Sequence, residues 1–190
     1  MECWVPETVD QDPSQPWEEY ERALYAIFRR DFVENRPTFR GLPVSPRTNP
    51  KFGSREESFW HLTCRDYGHT SGRPENRDPD PERCSLIKWP RAFIENCGEC
   101  GNVPVGKCDY PIADDCKGVM MWTSTHKDRK KKNHTRVKLF LDEMRYLVVL
   151  EDRGKYYQLV TAYPVDDEDK YRGIVREMKK KGARNAGSAV

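Results

Sequence analysis

Long apolar runs are missing from this chain of 190 residues. The longest, Leu147 to Leu150, is strand-sized and far short of the roughly 18–20 residues that cross a bilayer. The opening residues, MECWVPETVDQ, have no basic stretch leading into an apolar one, so no secretory signal is expected and the expected location is cytoplasmic. Charge of one sign is missing too: 33 Lys and Arg stand against 31 Asp and Glu, and a net +2 names no partner. An even complement of cysteines is also lacking. Seven cysteines without an export signal disfavour a disulfide framework and leave metal binding or plain burial as their uses.

What is present describes a folded chain with a modest core. Hydrophobic residues make up 36% and charged residues 34%, a balance that calls for long solvated connections. Five Trp, nine Tyr and seven Phe nevertheless supply more buried area than a disordered chain carries. The length suits one domain. The reading is an α+β fold: an extended arm over 1–15, a single domain over 16–181 with a Cys-rich insertion at about 97–118, and a frayed tail over 182–190.

Pro16, three early glutamates and the spacing of Trp17, Tyr20, Leu24, Ile27 and Phe28 predict a first helix. Four prolines between 35 and 53 predict an extended connector. SFWHLT, Ser58 to Thr63, reads as a short strand, and LIKWPRAFIENC as a helix opening near Pro90. VKLFLD, YLVVLED and YYQLVTAY, joined by short links, predict an antiparallel meander, and with SFWHLT a sheet of about four strands. An amphipathic helix from about Asp166 to Lys181 closes the domain, with DDED at its start.

Three constellations carry chemistry. On an extended strand Phe59, His61 and Thr63 share one face, and Tyr157, Leu159, Thr161 and Tyr163 share one face of theirs. In one sheet these would bring an imidazole, a hydroxyl and a phenol to a groove able to move protons and bind phosphate. The alternative is a core histidine beside ordinary strand sequence. Basic residues form the second set: Arg83, Lys88 and Arg91, and the run with Lys130, Lys131 and Lys132, which suit phosphate contact or a solvated loop. The third is Cys97, Cys100, Cys108 and Cys116, four thiolates matching one structural zinc, with Cys84 and His126 as substitute ligands; free thiols are the alternative. Four thiolates leave no open position for a catalytic metal.

The order PWEEYERALYAIFRRDFVE…PTFRG, FWHLT, RCSLIKWPRAFIEN and LFLDEMRYLVVLEDRGKYYQLVTAYPV resembles the phage-associated branch of the barnase–EndoU–colicin–RelE class of metal-independent ribonucleases, over roughly 16–180. The resemblance implies an antiparallel sheet with N-terminal helices. By position it gives His61 the role of catalytic base or acid, Arg83 (or Lys88) that of the basic residue, and Thr161 and Tyr163 that of the polar pair. It implies RNA as substrate, cleaved to a 2′,3′-cyclic phosphate by a toxin or phage effector with a protein inhibitor. The cysteines are a departure from the class. A non-catalytic, zinc-stapled module binding nucleic acid or protein is the competing expectation.

Overall fold

The computed structural model describes residues 3–65, 77–99, 116–128 and 131–186. Helix α1, Trp17–Phe28, starts behind Pro16 with Glu18 and Glu19 in its first turn, and it runs on into a π-helical turn, Arg29–Glu34. Tyr20, Leu24, Phe28 and Phe32, four residues apart, form its buried stripe.

The stretch expected as a connector contains two strands instead. β1, Thr38–Phe39, and β2, Leu42–Pro46, form a hairpin turning on Arg40 and Gly41, both at positive φ (51° and 76°). Such a two-residue turn matches the twist of paired strands, and Gly makes its second position cheap. Helix α2 covers Glu57–Thr63, where a strand was expected. Its buried residues Phe59, Trp60, Leu62 and Thr63 follow a helical rather than an alternating pattern, and the Thr63 hydroxyl donates back to the Phe59 carbonyl at 2.9 Å.

A small ribbon of β3, Cys64–Arg65, and β4, Asp78–Pro79, follows, then helices α3, Pro81–Ser85, and α4, Trp89–Asn96. β5, Met120–Lys127, β6, Asn133–Leu141, β7, Tyr146–Asp152, and β8, Tyr157–Pro164, form the meander. Helix α5, Glu168–Lys180, is capped by Asp167, whose side chain accepts from the Lys170 N–H. Past Gly182 the chain enters β9, Arg184–Asn185, which pairs with β5.

The main sheet therefore has seven strands, in the order β1-β2-β8-β7-β6-β5-β9, not about four. Nor is it wholly antiparallel, because β2 runs parallel to β8. The undercount arose at β1, β2 and β9, which are too short or Pro-rich for a period of two to show, and at β5, Met120–Lys127, whose second half is polar and mostly exposed and so shows no apolar alternation. β7 is buried on both faces, which is why YLVVL reads as an unbroken apolar run. Tyr146, Val148 and Leu150 join the larger core with α1, α2, α3 and α4, while Leu147 and Val149 join Trp122, Phe140 and Ile174 beneath α5. The first residues run extended but lie against the core: Trp4 packs edge-on to Phe93 at 5.0 Å, and Trp89 donates its indole N–H to the Pro6 carbonyl.

β8 carries a bulge. Val149 pairs with Thr161 but Leu150 with Leu159, so Val160 is an extra residue. The shared face expected for Tyr157, Leu159, Thr161 and Tyr163 is thereby broken. Tyr157 and Leu159 enter the larger core, whereas Tyr163 packs on the α5 side.

Among the described residues no zinc site is seen. Cys97 is buried after α4 with its thiol toward the Ile94 carbonyl, Cys116 accepts from the Gly118 N–H, and Cys100 and Cys108 lie outside the described residues. Among the described residues no group of three or more His, Cys, Asp and Glu is arranged to hold a metal ion, and no helix is long and apolar enough to cross a membrane.

Leu150 is fully buried where β7 meets the bulge. Leu150→Ala should cost about 2–5 kcal/mol, while Val33→Ala, at a side chain 37% exposed, should stay within about 0.5 kcal/mol. Urea unfolding midpoints measure both, and equal shifts would mean that this core carries little of the stability.

Candidate functional site

A cleft of about 500 Å³ is lined wholly by ionisable side chains: Arg47, Glu57, His61, Arg77, His126, Asp128, His134, Arg136, Glu151 and Arg153. Its floor is a polar row produced by strand register. His126 lies opposite His134, Arg136 opposite Glu151, and Glu151 opposite Gln158. Directly paired residues project to the same side of a sheet, as do residues two apart on one strand. Toward the other end the same face carries Phe140, Leu147 and Val149, which α5 covers.

Helix α2 supplies the other wall. Its start is locked to the end of β2 by two bonds: the Arg47 N–H donates to Ser58 Oγ at 2.7 Å, and the Ser58 N–H to the Arg47 carbonyl at 3.0 Å. Helical spacing places Glu57 and His61 one turn apart, with His61 Nε2 3.2 Å from Glu57 Oε1. Arg47 donates to the same oxygen at 3.3 Å. Arg77 also lies against the imidazole, Nη1 3.0 Å from Nδ1 and Nη2 3.3 Å from Nε2. A neutral ring with its proton on Nε2 donates to Glu57 and accepts from Arg77 Nη1 at Nδ1, the shorter of the two Arg77 contacts. Burial lowers the His61 pKa, and the charges of Arg77 and Arg47 lower it further against the opposing pull of Glu57. Burial pushes the Glu57 pKa upward, but bonding to His61 and the Arg47 charge outweigh it, and the net shift is downward.

The second imidazole is His134 on β6. Nε2 lies 3.0 Å from Asp128 Oδ2 and Nδ1 3.1 Å from Glu151 Oε1. Glu151, with a side chain only 4% exposed, also meets Arg153 at 2.7 Å and Arg136 at 3.4 Å. Asp128 begins the β5–β6 hairpin, where its carboxylate accepts from the Lys132 N–H and its carbonyl from the Lys131 N–H. Exposed Lys127, Lys131 and Lys132 thus stand at the end of the sheet that carries the cleft. Lys130 lies outside the described residues.

Of the residues expected from sequence, His61 lines this cleft and the rest of its group do not. Arg83 lies behind α2: Nη1 donates to the His61 and Cys64 carbonyls at 3.2 and 2.9 Å. Its guanidinium also covers the Tyr163 ring at 5.2 Å. Burial lowers its pKa. Arg83 fixes the end of the helix that carries His61, which makes it a positioning residue. Burial raises the Tyr163 pKa against the opposing Arg83 charge, and Thr161 sits opposite Val149 beside the bulge. Arg91 is held by the Asp31 and Asn35 carbonyls and by Glu95; with Lys88 it lines a separate cavity beside the π-helical turn. Cys84 is buried, donates to the Thr63 carbonyl, and has its thiol pKa pushed up to about 12 by burial. His126, the other substitute ligand, is exposed in the cleft. Sequence reading missed Glu57, Arg77, His134, Arg136 and Glu151. The available signals were Glu57 four residues before His61, and His134 and Arg136 two apart in a run with strand alternation.

Because the folded pKa of His61 is depressed, the unfolded chain takes up this proton first, and stability should fall as pH drops through about 6.5. An NMR titration should place the His61 midpoint below that value, and Glu57→Gln should lower it further by removing the carboxylate that holds the proton. A midpoint above 6.5, or an upward shift in Glu57→Gln, would contradict the geometry.

In comparisons with protein families, curated proteins and solved structures, the chain matches no family model, no curated protein and no solved structure.

Proposed function

We propose that this cleft cleaves RNA by acid–base catalysis at the ribose 2′-OH. The observation that carries the reading is the pair of imidazoles, His61 and His134, each bonded to carboxylate and facing one cleft with four arginines. The cavity falls within the usual range of about 300–1,000 Å³ for small-ligand sites.

In this mechanism an incoming phosphodiester draws the Arg77 guanidinium toward its oxygens and frees His61 Nδ1. That nitrogen takes the 2′-OH proton, while Glu57 at Nε2 stabilises the imidazolium that forms. The 2′-oxygen bonds to phosphorus, the bond from phosphorus to O5′ breaks, and His134 gives its proton to the departing oxygen. The products are a 2′,3′-cyclic phosphate and a 5′-hydroxyl. Arg136 and Arg153 beside Glu151, with Arg47, supply positive charge for the phosphorane oxygens. Lys127, Lys131 and Lys132 draw in the backbone through counterion release. The ribonuclease resemblance supports this substrate, and a toxin or phage effector is the biological role it suggests. An inhibitor for such a protein would present acidic groups to the cleft.

Incubation with a mixed-sequence RNA and mapping of the product ends tests the proposal. Cyclic phosphate and 5′-hydroxyl ends are expected. His61→Ala and His134→Ala should each lose about 10²–10⁴-fold in rate while keeping the native circular dichroism spectrum. RNA that is bound but left uncut, or cut to 5′-phosphate ends, would overturn the reading, and the uncut result would favour a non-catalytic RNA-binding module.

A further inference from the structure

A second cavity, of about 650 Å³, lies on the β2–β8 edge of the sheet. In the parallel pairing of β2 with β8, Ser45 is opposite Gln158, while the flanking pairs Val44–Tyr157 and Pro46–Leu159 are buried. Ser45 and Gln158 therefore point away from the larger core, to the same side as Glu151, which is directly opposite Gln158. The cavity's cations are Arg36, Arg47 and Lys155, no carboxylate lines it among the described residues, and the half-buried ring of Tyr156 forms part of its wall.

Two links join this cavity to the charged cleft. Arg47 lines both. Arg153 of the cleft donates to Gln158 Oε1 at 2.9 Å. The cleft balances its arginines with three carboxylates, whereas Arg36 and Lys155 have no carboxylate partner among the described residues. Unneutralised cations beside an aromatic ring and small hydrogen-bonding side chains suit a phosphate with its base, the base stacking on the ring.

We infer that this cavity is a nucleotide subsite for single-stranded RNA, holding the next nucleotide along a strand whose adjacent phosphate occupies the His61–His134 cleft. The inference rests on reading that cleft as an RNA site. Arg36 and Lys155 grip the phosphate, Tyr156 stacks the base, and Arg47 spans two successive phosphates. Substrates long enough to reach this subsite bind more tightly than a dinucleotide.

The test uses the full chain and two probes. One is a fluorescent RNA octamer of mixed sequence, 2′-O-methylated so that 2′-OH attack is blocked; the other is a cleavable dinucleotide. Arg36→Ala combined with Lys155→Ala should lower the salt dependence of octamer binding by about 1.4 in log–log slope, two contacts at roughly 0.7 each. Tyr156→Ala should weaken octamer binding roughly 5- to 100-fold. Both variants should cut the dinucleotide as fast as the unaltered chain. Unchanged octamer affinity and slope in the variants would overturn the subsite, even with dinucleotide cleavage intact. So would an unaltered chain that binds no octamer. If the unaltered chain binds the octamer but cuts nothing, and the variants bind it less well, the subsite stands and only the cleavage reading fails.

Discussion

Glu151 carries a carboxylate into the interior directly after the apolar run of β7, and a charge stripped of water must be matched nearby. His134, Arg136 and Arg153 are within 3.4 Å of it. Each of these groups belongs to the cleft, so the demand that stabilises one buried anion also assembles the floor of the site. Removing one partner of such a buried pair commonly costs about 3–5 kcal/mol, which gives the row a structural as well as a chemical reason to stay intact. The apolar half of the same face needs no such matching, and α5 closes it.

The opposite wall obeys a different constraint. α2 has only seven residues, too few to be stable alone. It is held at one end by the reciprocal bonds between Arg47 and Ser58 and at the other by Arg83 reaching the His61 and Cys64 carbonyls. Phe59 anchors its middle against Tyr25, Phe28 and Trp60. With both ends and the middle fixed, the Glu57 and His61 side chains face the strand-borne groups with little freedom to turn away. Preorganisation of this kind is what electrostatic catalysis requires.

Sequence periodicity reveals the long elements and little of the site. α1 and α5 are legible because their apolar stripes run for several turns, and β6, β7 and β8 because short links force neighbours to pair antiparallel. The β1–β2 hairpin was hidden by prolines, although Arg40–Gly41 between short apolar pairs marks a tight turn. α2 was misread because six residues containing Phe, Trp and Leu satisfy a strand pattern nearly as well as a helical one. His61 was singled out with a wrong environment: as a strand residue it would face Tyr163, as a helical one it faces Glu57 and Arg77. The cleft itself draws on segments far apart in the chain, from Arg47 to Arg153, and only the sheet register brings them together.

The extra residue in β8 decides more than a local kink. Were Val160 paired opposite Leu150 instead of bulged, the regular pairing of β7 with β8 would continue, putting Leu159 opposite Glu151 and Gln158 opposite Asp152. The early half of β8 would then be turned over, with Gln158 pressed into the core and Tyr157 and Leu159 looking out over the charged row. β2, which takes its phase from β8 through Ser45 and Gln158, would have to follow or detach. The bulge, by leaving Val160 out of the ladder, thus acts as a phase switch between the two ends of the strand, so that the late half packs beneath α5 while the early half carries the polar row out to the edge of the sheet.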